Sequence, residues 1–498
     1  MPIKISHNFL SLKKLQLIFH RQDSIELNEE TIKIISKSRA FLENKVQTIE
    51  QPIYGINTGF GQLCDKQISS KDLDQLQVNL VRSHACGVGE EIPDHISRLI
   101  LLLKIKSLTT GQSGVRKELI DFLLFYYNSG AVPVIFEKGS LGASGDLVPL
   151  AHLTLPMIGE GEVKLKNNKI SGAAFLTKLG KKPITLKLKE GLAMLNGTQF
   201  MLAYGIDNVS RSQHIMHAAI AICSLSVDVF DSRTDFLHPS IHKARPHKGQ
   251  IEIAQKMLSI LKDSEIAQKE KFQVQDPYSI RCLPQVLGAS LDTLNYVTLV
   301  METELNSVTD NPLVFEDEDS VISGGNFHGQ PLALALDFLG IAMAEVANIC
   351  ERLLYKLLGG ERNLPLFLTQ NPGLESGFMI PQYSAASLVS QNKQLATPAS
   401  VDSIVSSNGQ EDHVSMGANA AVKCAGILDN TEAVLGILLL AGAQALDFRR
   451  PSKSSPAIEK MFLEFRTKVA FRSADTYFKP DMDAAIKFVK EYPFENMA

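Results

Sequence analysis

Residues 418–446 read ANAAVKCAGILDNTEAVLGILLLAGAQAL, a long run with few helix breakers and apolar residues on more than one face. That pattern predicts a long helix packed inside a bundle or between subunits. Its most apolar part, Ala433 to Ala443, is closed off by Glu432 and Gln444. It is shorter than the roughly 20 residues that a membrane span needs, so it reads as a buried core helix. Pro93 to Leu108, Arg211 to Phe230, Leu283 to Val308 and Pro331 to Leu358 are long segments of the same kind, and Asp310-Asn311-Pro312 ends the third. Asn28 can cap a further helix, with Glu29 and Glu30 in its first turn and Ile32, Ile35, Leu42 and Val46 on one stripe. Strand signals are short: Glu162 to Ile170 alternates around a turn at Asn167-Asn168, and Ile184 to Leu188 alternates likewise. The fold class expected is mainly α, a long-helix bundle with a few short β-hairpins. An N-terminal region over residues 1–200 and a long-helix region over 201–498 form one continuous unit.

The chain has 498 residues, 45% hydrophobic and 21% charged, with net charge -4, which suits a large buried core. Near-neutral charge gives no reason to expect nucleic acid or an anionic membrane as partner. Met1-Pro2-Ile3-Lys4 leads into mixed residues and not into a secretory signal. Cys64, Cys86, Cys223, Cys282, Cys350 and Cys424 lie far apart without a CxxC pair, so they read as reduced core thiols in a cytoplasmic protein.

Four loops are richer in Gly, Asn, Gln, Ser or Tyr than connectors require: 54–61, 139–146, 273–285 and 406–416. Loops held by a rigid scaffold are where chemistry tends to sit. In Gly139-Ser-Leu-Gly-Ala-Ser-Gly-Asp146, three glycines and two serines would by default make a flexible loop. A second reading is chemical. Gly145 has no side chain to keep its backbone nitrogen from the Ala143 carbonyl, and cyclisation with dehydration of Ser144 would leave a ring bearing an exposed methylene. A helix starting near Asp146, with Pro149 in its first turn, would aim its positive end at that group.

Seven strings in order resemble the histidine ammonia-lyase family, part of the aromatic amino acid ammonia-lyases. They are Tyr54-Gly-Ile-Asn-Thr-Gly-Phe-Gly61, Asn79-Leu-Val-Arg-Ser-His-Ala85, Gly142-Ala-Ser-Gly-Asp-Leu147, Leu195-Asn-Gly-Thr-Gln199, Gln275-Asp-Pro-Tyr-Ser-Ile-Arg281, Gly324-Gly-Asn-Phe-His-Gly329 and Gln410-Glu-Asp-His-Val-Ser-Met416. The resemblance implies the long-helix bundle of that family and 4-methylidene-imidazole-5-one (MIO), formed autocatalytically from Ala143, Ser144 and Gly145 in the N-terminal region. It implies Tyr54 as the base that removes the β-proton, and an unperturbed phenol, with a pKa about 10, would need nearby positive charge or donors for that task. Arg281 matches the carboxylate-binding position, its planar fork suiting that group. Asn196 and Gln275 would orient the amino group and the MIO carbonyl, while Tyr278 and Phe327 would enclose the site.

Ser83-His84 follows the histidine enzymes, although some bacterial tyrosine enzymes share it. Glu411 discriminates better, because a carboxylate suits an imidazole and is poorly matched to a phenyl ring. Met379 also follows the histidine pattern. The implied reaction is L-histidine to trans-urocanate and ammonia, by a homotetramer with shared sites and no added organic cofactor or metal. One departure bears on this: the family's usual Ser-Ala-Asn-Gln-Glu is here Ser406-Ser-Asn-Gly-Gln-Glu411, one residue longer. A tyrosine or phenylalanine lyase or aminomutase, and a non-catalytic scaffold of the same fold, are the rival readings. The pairs His214/His217 and His238/His242 lack a third ligand or an HExxH pattern and read as structural.

Overall fold

Each long breaker-poor segment is helical in the computed structural model, which describes residues 2–21, 23–48, 52–59, 61–63, 65–69 and 71–497. Phe60, in the first of the four loops, and Cys64 lie outside those residues. The helices are Asp94–Leu108, Leu283–Leu305, Gln330–Leu357 and Gly417–Phe448. The segment expected from Arg211 is the later part of a longer helix, Gln199–Val229. Its earlier part contains Gly205, a weak helix former. There a Cβ would lie 2.4 Å from Met301 Sδ, so close packing accounts for the glycine. Asn28 caps Glu29–Thr48 as expected, its Oδ1 accepting from Thr31 N at 2.9 Å, and Ile35 and Leu42 are buried.

Gln330–Leu357 and Gly417–Phe448 are long and apolar enough to cross a membrane. Most of each apolar window is buried inside the protein, however, 67% and 72%. These are core helices, apolar because they are surrounded by other elements.

The strands are short. Glu162–Leu165 and Asn168–Ser171 pair antiparallel, and Val132–Pro133 adds a third strand. The hairpin turn is Lys166-Asn167, one residue earlier than expected. Both residues have positive φ (52° and 64°), the backbone twist that a two-residue hairpin needs. Ile184 to Leu188 forms no strand. Its backbone bonds go elsewhere instead: Ile184 N donates to Met157 O, Arg116 Nη2 to Thr185 O and Lys187 N to Glu190 Oε2.

The chain divides into two compact units, each discontinuous in sequence. The first comprises Met1–Asp207, Thr298–Leu336 and Pro398–Val422, so it takes in residues 1–200 and adds two later segments. Its Asp94–Leu108 helix is buried at every position from Leu99 to Leu108, two lysines included. The second comprises Asn208–Val297, Asp337–Thr397 and Lys423–Ala498. Within it, the buried Asp228 accepts from Ser264 and Ser454, and Arg211 pairs with Asp429 and Glu432.

In the first unit Lys189 Nζ and Asp310 Oδ2 form a 2.6 Å ion pair with side chains 0% and 3% exposed. Removing one partner leaves an uncompensated buried charge. Lys189→Met should therefore lower the unfolding free energy by about 3–5 kcal/mol, and Lys189→Met with Asp310→Leu should recover most of it. Urea unfolding of the three proteins checks this. A single-variant loss below about 1 kcal/mol would mean that water reaches the pair.

Candidate active site

The tripeptide is pressed against a second backbone segment. Gly142 and Gly145 have φ of +66° and +75°, the left-handed region that favours glycine. A Cβ on Gly145 would lie 2.2 Å from Gly197 O, while Asp146 N donates to that same oxygen at 2.7 Å. Beside this contact Asn196 Nδ2 donates to Ser144 O at 2.9 Å. Asn196 Oδ1 is buried with no partner among the described residues.

Asp146 precedes the Leu147–Thr154 helix without capping it. Its Oδ1 accepts from Ser140 Oγ at 2.9 Å, and its Oδ2 accepts from Phe200 N and Met201 N at 3.0 Å each. The carboxylate thus serves the first turn of Gln199–Val229, where a helix favours negative charge. Burial pushes the Asp146 carboxyl up to about 7, against the hydrogen bonds from Met201, Ser140 and Phe200 and the charge of Lys104. Lys104 is also fully buried and is pushed down to about 7 by burial, against Asp310 and Asp146. Its Nζ donates to Asn196 O at 2.7 Å and Ala193 O at 3.1 Å, holding the Asn196 segment from behind.

A cavity of about 220 Å³ opens over Ser144 and is lined also by Ser83, His84, Cys86, Ser406 and Glu411. Ser144 Oγ donates to Glu411 Oε1 at 2.7 Å, and Ser406 Oγ donates to Glu411 Oε2 at 2.8 Å. Ser406 and Glu411 also pair through their backbones. The loop before Glu411 closes as a tight turn, Ser407–Gly409, with Ser407, Asn408 and Gly409 all at positive φ. With this turn Glu411 faces the tripeptide. Val414 and Met416 pack on Ala143, and Met416 N donates to Leu141 O at 2.9 Å.

His84 ends the Leu73–His84 helix, with Nδ1 3.0 Å from Ser83 Oγ. Burial lowers its pKa, against the Leu80 backbone and the Glu411 charge, so the ring is neutral at pH 7. Cys86 corrects the expectation of core thiols, being exposed at the cavity, whereas Cys223, Cys350 and Cys424 are buried and Cys282 is intermediate.

Tyr54 is half-buried, and its hydroxyl oxygen accepts from Gly61 N at 3.3 Å. Its loop packs on the Ser407 turn, since a Cβ on Gly61 would lie 2.6 Å from Ser407 Oγ. Phe327 is also half-buried. Next to it His328 stacks on His413 at 5.6 Å, and Gly329 N donates to Gly142 O at 3.4 Å. His84, Ala143, Ser144, Gly145, Asn196 and Glu411 thus come together, with the Tyr54 and Phe327 loops attached to the same frame.

Gln275, Tyr278, Arg281 and Met379 belong to the second unit. There Asp276 is buried and ion-paired with Arg362 at 2.8 Å. Its carbonyl accepts from Arg281 Nε at 2.7 Å, and the Arg281 guanidinium lies 4.9 Å from the centre of the Tyr278 ring. Tyr278 is 75% exposed and Gln275 is exposed. Met379 begins the Met379–Leu395 helix.

Sequence reasoning missed Lys104, Ser140 and Ser406. Lys104 carried a usable signal, a cation inside the apolar run 99–108 that must find acceptors once buried. Ser140 and Asp146 bracket the tripeptide as a polar pair, a weaker signal. Ser406 carried none.

The sequence model of the family described as aromatic amino acid lyase matches residues 10–467. A histidine ammonia-lyase of Staphylococcus saprophyticus is 42% identical over 499 residues, covering 99% of this chain and 100% of that protein. Among solved structures, the histidine ammonia-lyase of Trypanosoma cruzi aligns with TM-score 0.92 at 39% identity, covering 100% of this chain and 95% of that one. A tyrosine aminomutase of Streptomyces globisporus aligns at 0.94 and 32%, covering 100% and 98%.

The Gly145–Gly197 approach can be probed directly. Gly145→Ala should force the two segments apart and speed exchange of the Asp146 amide hydrogen by about tenfold or more. Unchanged protection in hydrogen exchange would show that the approach is not tight.

Proposed function

The chain belongs to the aromatic amino acid lyase family, and on that premise we propose that it converts L-histidine to trans-urocanate and ammonia, the entry step of histidine degradation. The observation that carries this reading is the Glu411 carboxylate 2.7 Å from Ser144 Oγ in one cavity. A carboxylate there can accept an imidazole N–H, and it would lie uncompensated against a phenyl ring.

Ala143, Ser144 and Gly145 fit the precursor of MIO. Gly145 sits where a side chain would strike Gly197, and the Asn196 amide is already on the Ser144 carbonyl. When formed, the ring supplies an electrophile that side chains, being nucleophiles, cannot. The remaining work falls to side chains. Tyr54 takes the β-proton, and the Gly61 amide aimed at its oxygen is a donor that a phenolate base would keep. Arg281 has Nε engaged by the Asp276 carbonyl, which leaves its outer nitrogens for the substrate carboxylate. Asn196 and Gln275 orient the amino group and the ring carbonyl. The neutral His84 lies beside Glu411 in the cavity, and Phe327, Tyr278 and Met379 take the substrate-enclosing roles that the family resemblance implies.

In this reading the protein is a cytoplasmic homotetramer whose sites draw on several subunits. In support, Tyr296, Phe338, Ile341, Tyr355 and Tyr383 lie exposed on long helices, large side chains that a partner would cover.

Mass spectrometry of the peptide spanning Gly139 to Asp146 should find it lighter by two waters, one from cyclisation and one from loss of the Ser144 hydroxyl. Ser144→Ala should keep its full mass and have no activity. An intact wild-type peptide would favour a non-catalytic scaffold. Assayed with histidine, tyrosine and phenylalanine side by side, the protein should release ammonia from histidine, and Glu411→Ala should lower kcat/KM roughly a hundredfold. Turnover of tyrosine alone would overturn the substrate assignment.

A further inference from the structure

The hydroxyl that Glu411 Oε1 accepts is the one that ring formation removes as water, so the finished site leaves that oxygen open. Glu411 then needs another anchor. We propose that Ser406 is the positioning residue that keeps the Glu411 carboxylate turned toward the substrate's imidazole after the Ser144 hydroxyl has gone. This rests on the histidine reading given above.

Three observations carry it. Ser406 Oγ donates to Glu411 Oε2 at 2.8 Å, which leaves Oε1 as the oxygen facing Ser144. The backbones are locked together, Ser406 N donating to Glu411 O at 2.9 Å and Glu411 N to Ser406 O at 3.3 Å. Ser406 itself lines the cavity, and its carbonyl accepts from Gly409 N at 3.0 Å, which ties it to the tight turn that follows. The terminal torsion of a glutamate is soft, so a carboxylate anchored by one oxygen keeps its plane and an unanchored one samples many. A charge-assisted hydrogen bond is strong enough to fix that choice. Ser406 thereby acts on which ring is bound, through Glu411, without touching the reacting atoms.

Ser406→Ala should weaken calorimetric binding of imidazolepropionate about tenfold and leave phenylpropionate unchanged. The two-water loss from the 139–146 peptide should also be unchanged, and Ser406→Thr, which keeps the hydroxyl, should restore binding. Imidazolepropionate binding within twofold of wild type would overturn the proposal. Equal weakening of both ligands would overturn it too, since that is what a merely structural serine would do. A wild-type protein that binds phenylpropionate more tightly than imidazolepropionate would overturn the histidine reading itself.

Discussion

The close approach of Gly145 to Gly197 is the constraint on which the site depends. Two backbones meet where a single methyl group could not fit, and Asp146 N–H to Gly197 O closes the contact at 2.7 Å. Once those glycines touch, the Asn196 amide falls on the Ser144 carbonyl, and the helices that begin at Leu147 and Gln199 start from fixed points. Glycine is required at position 145 twice over, for its φ of +75° and for the missing side chain.

Buried charge holds that contact in place, and position is gained at some expense of stability. Asp146, raised to about 7, favours the folded protein least once pH has risen through 7. Lys104, lowered to about 7, favours it least once pH has fallen through 7. Near neutrality both groups oppose folding. What offsets them is their hydrogen bonding. Asp146 takes two amides of the Gln199–Val229 helix, and Lys104 takes two carbonyls of the segment ending at Asn196. Such groups leave few alternative seats for the tripeptide.

Much of the fold was legible because helix formation is a local matter of periodicity and breakers. The segments ending near Leu108, Leu305, Leu357 and Phe448 all read correctly within a few residues. Errors came where tertiary contacts override local pattern. Ile184 to Leu188 alternates like a strand but has no strand to pair with, and its backbone bonds go to Met157, Arg116 and Glu190 instead. Gly205 argues locally against helix, yet Met301 packs where its side chain would be.

For the site, residue type and order were enough to state a tripeptide able to cyclise and glycines where backbone must come close, and the family resemblance added a carboxylate at Glu411. Those are properties of residue type and order, and no fold is needed to state them. Packing had to show that Glu411 stands on Ser144 from 267 residues away, that the Ser407–Gly409 turn lies between Ser406 and Glu411, and that Lys104 and Ser406 bond to Asn196 and Glu411. The reason is physical. A hydrogen bond between distant residues depends on where the packed core puts their backbones, and neither residue's neighbours in sequence carry that information.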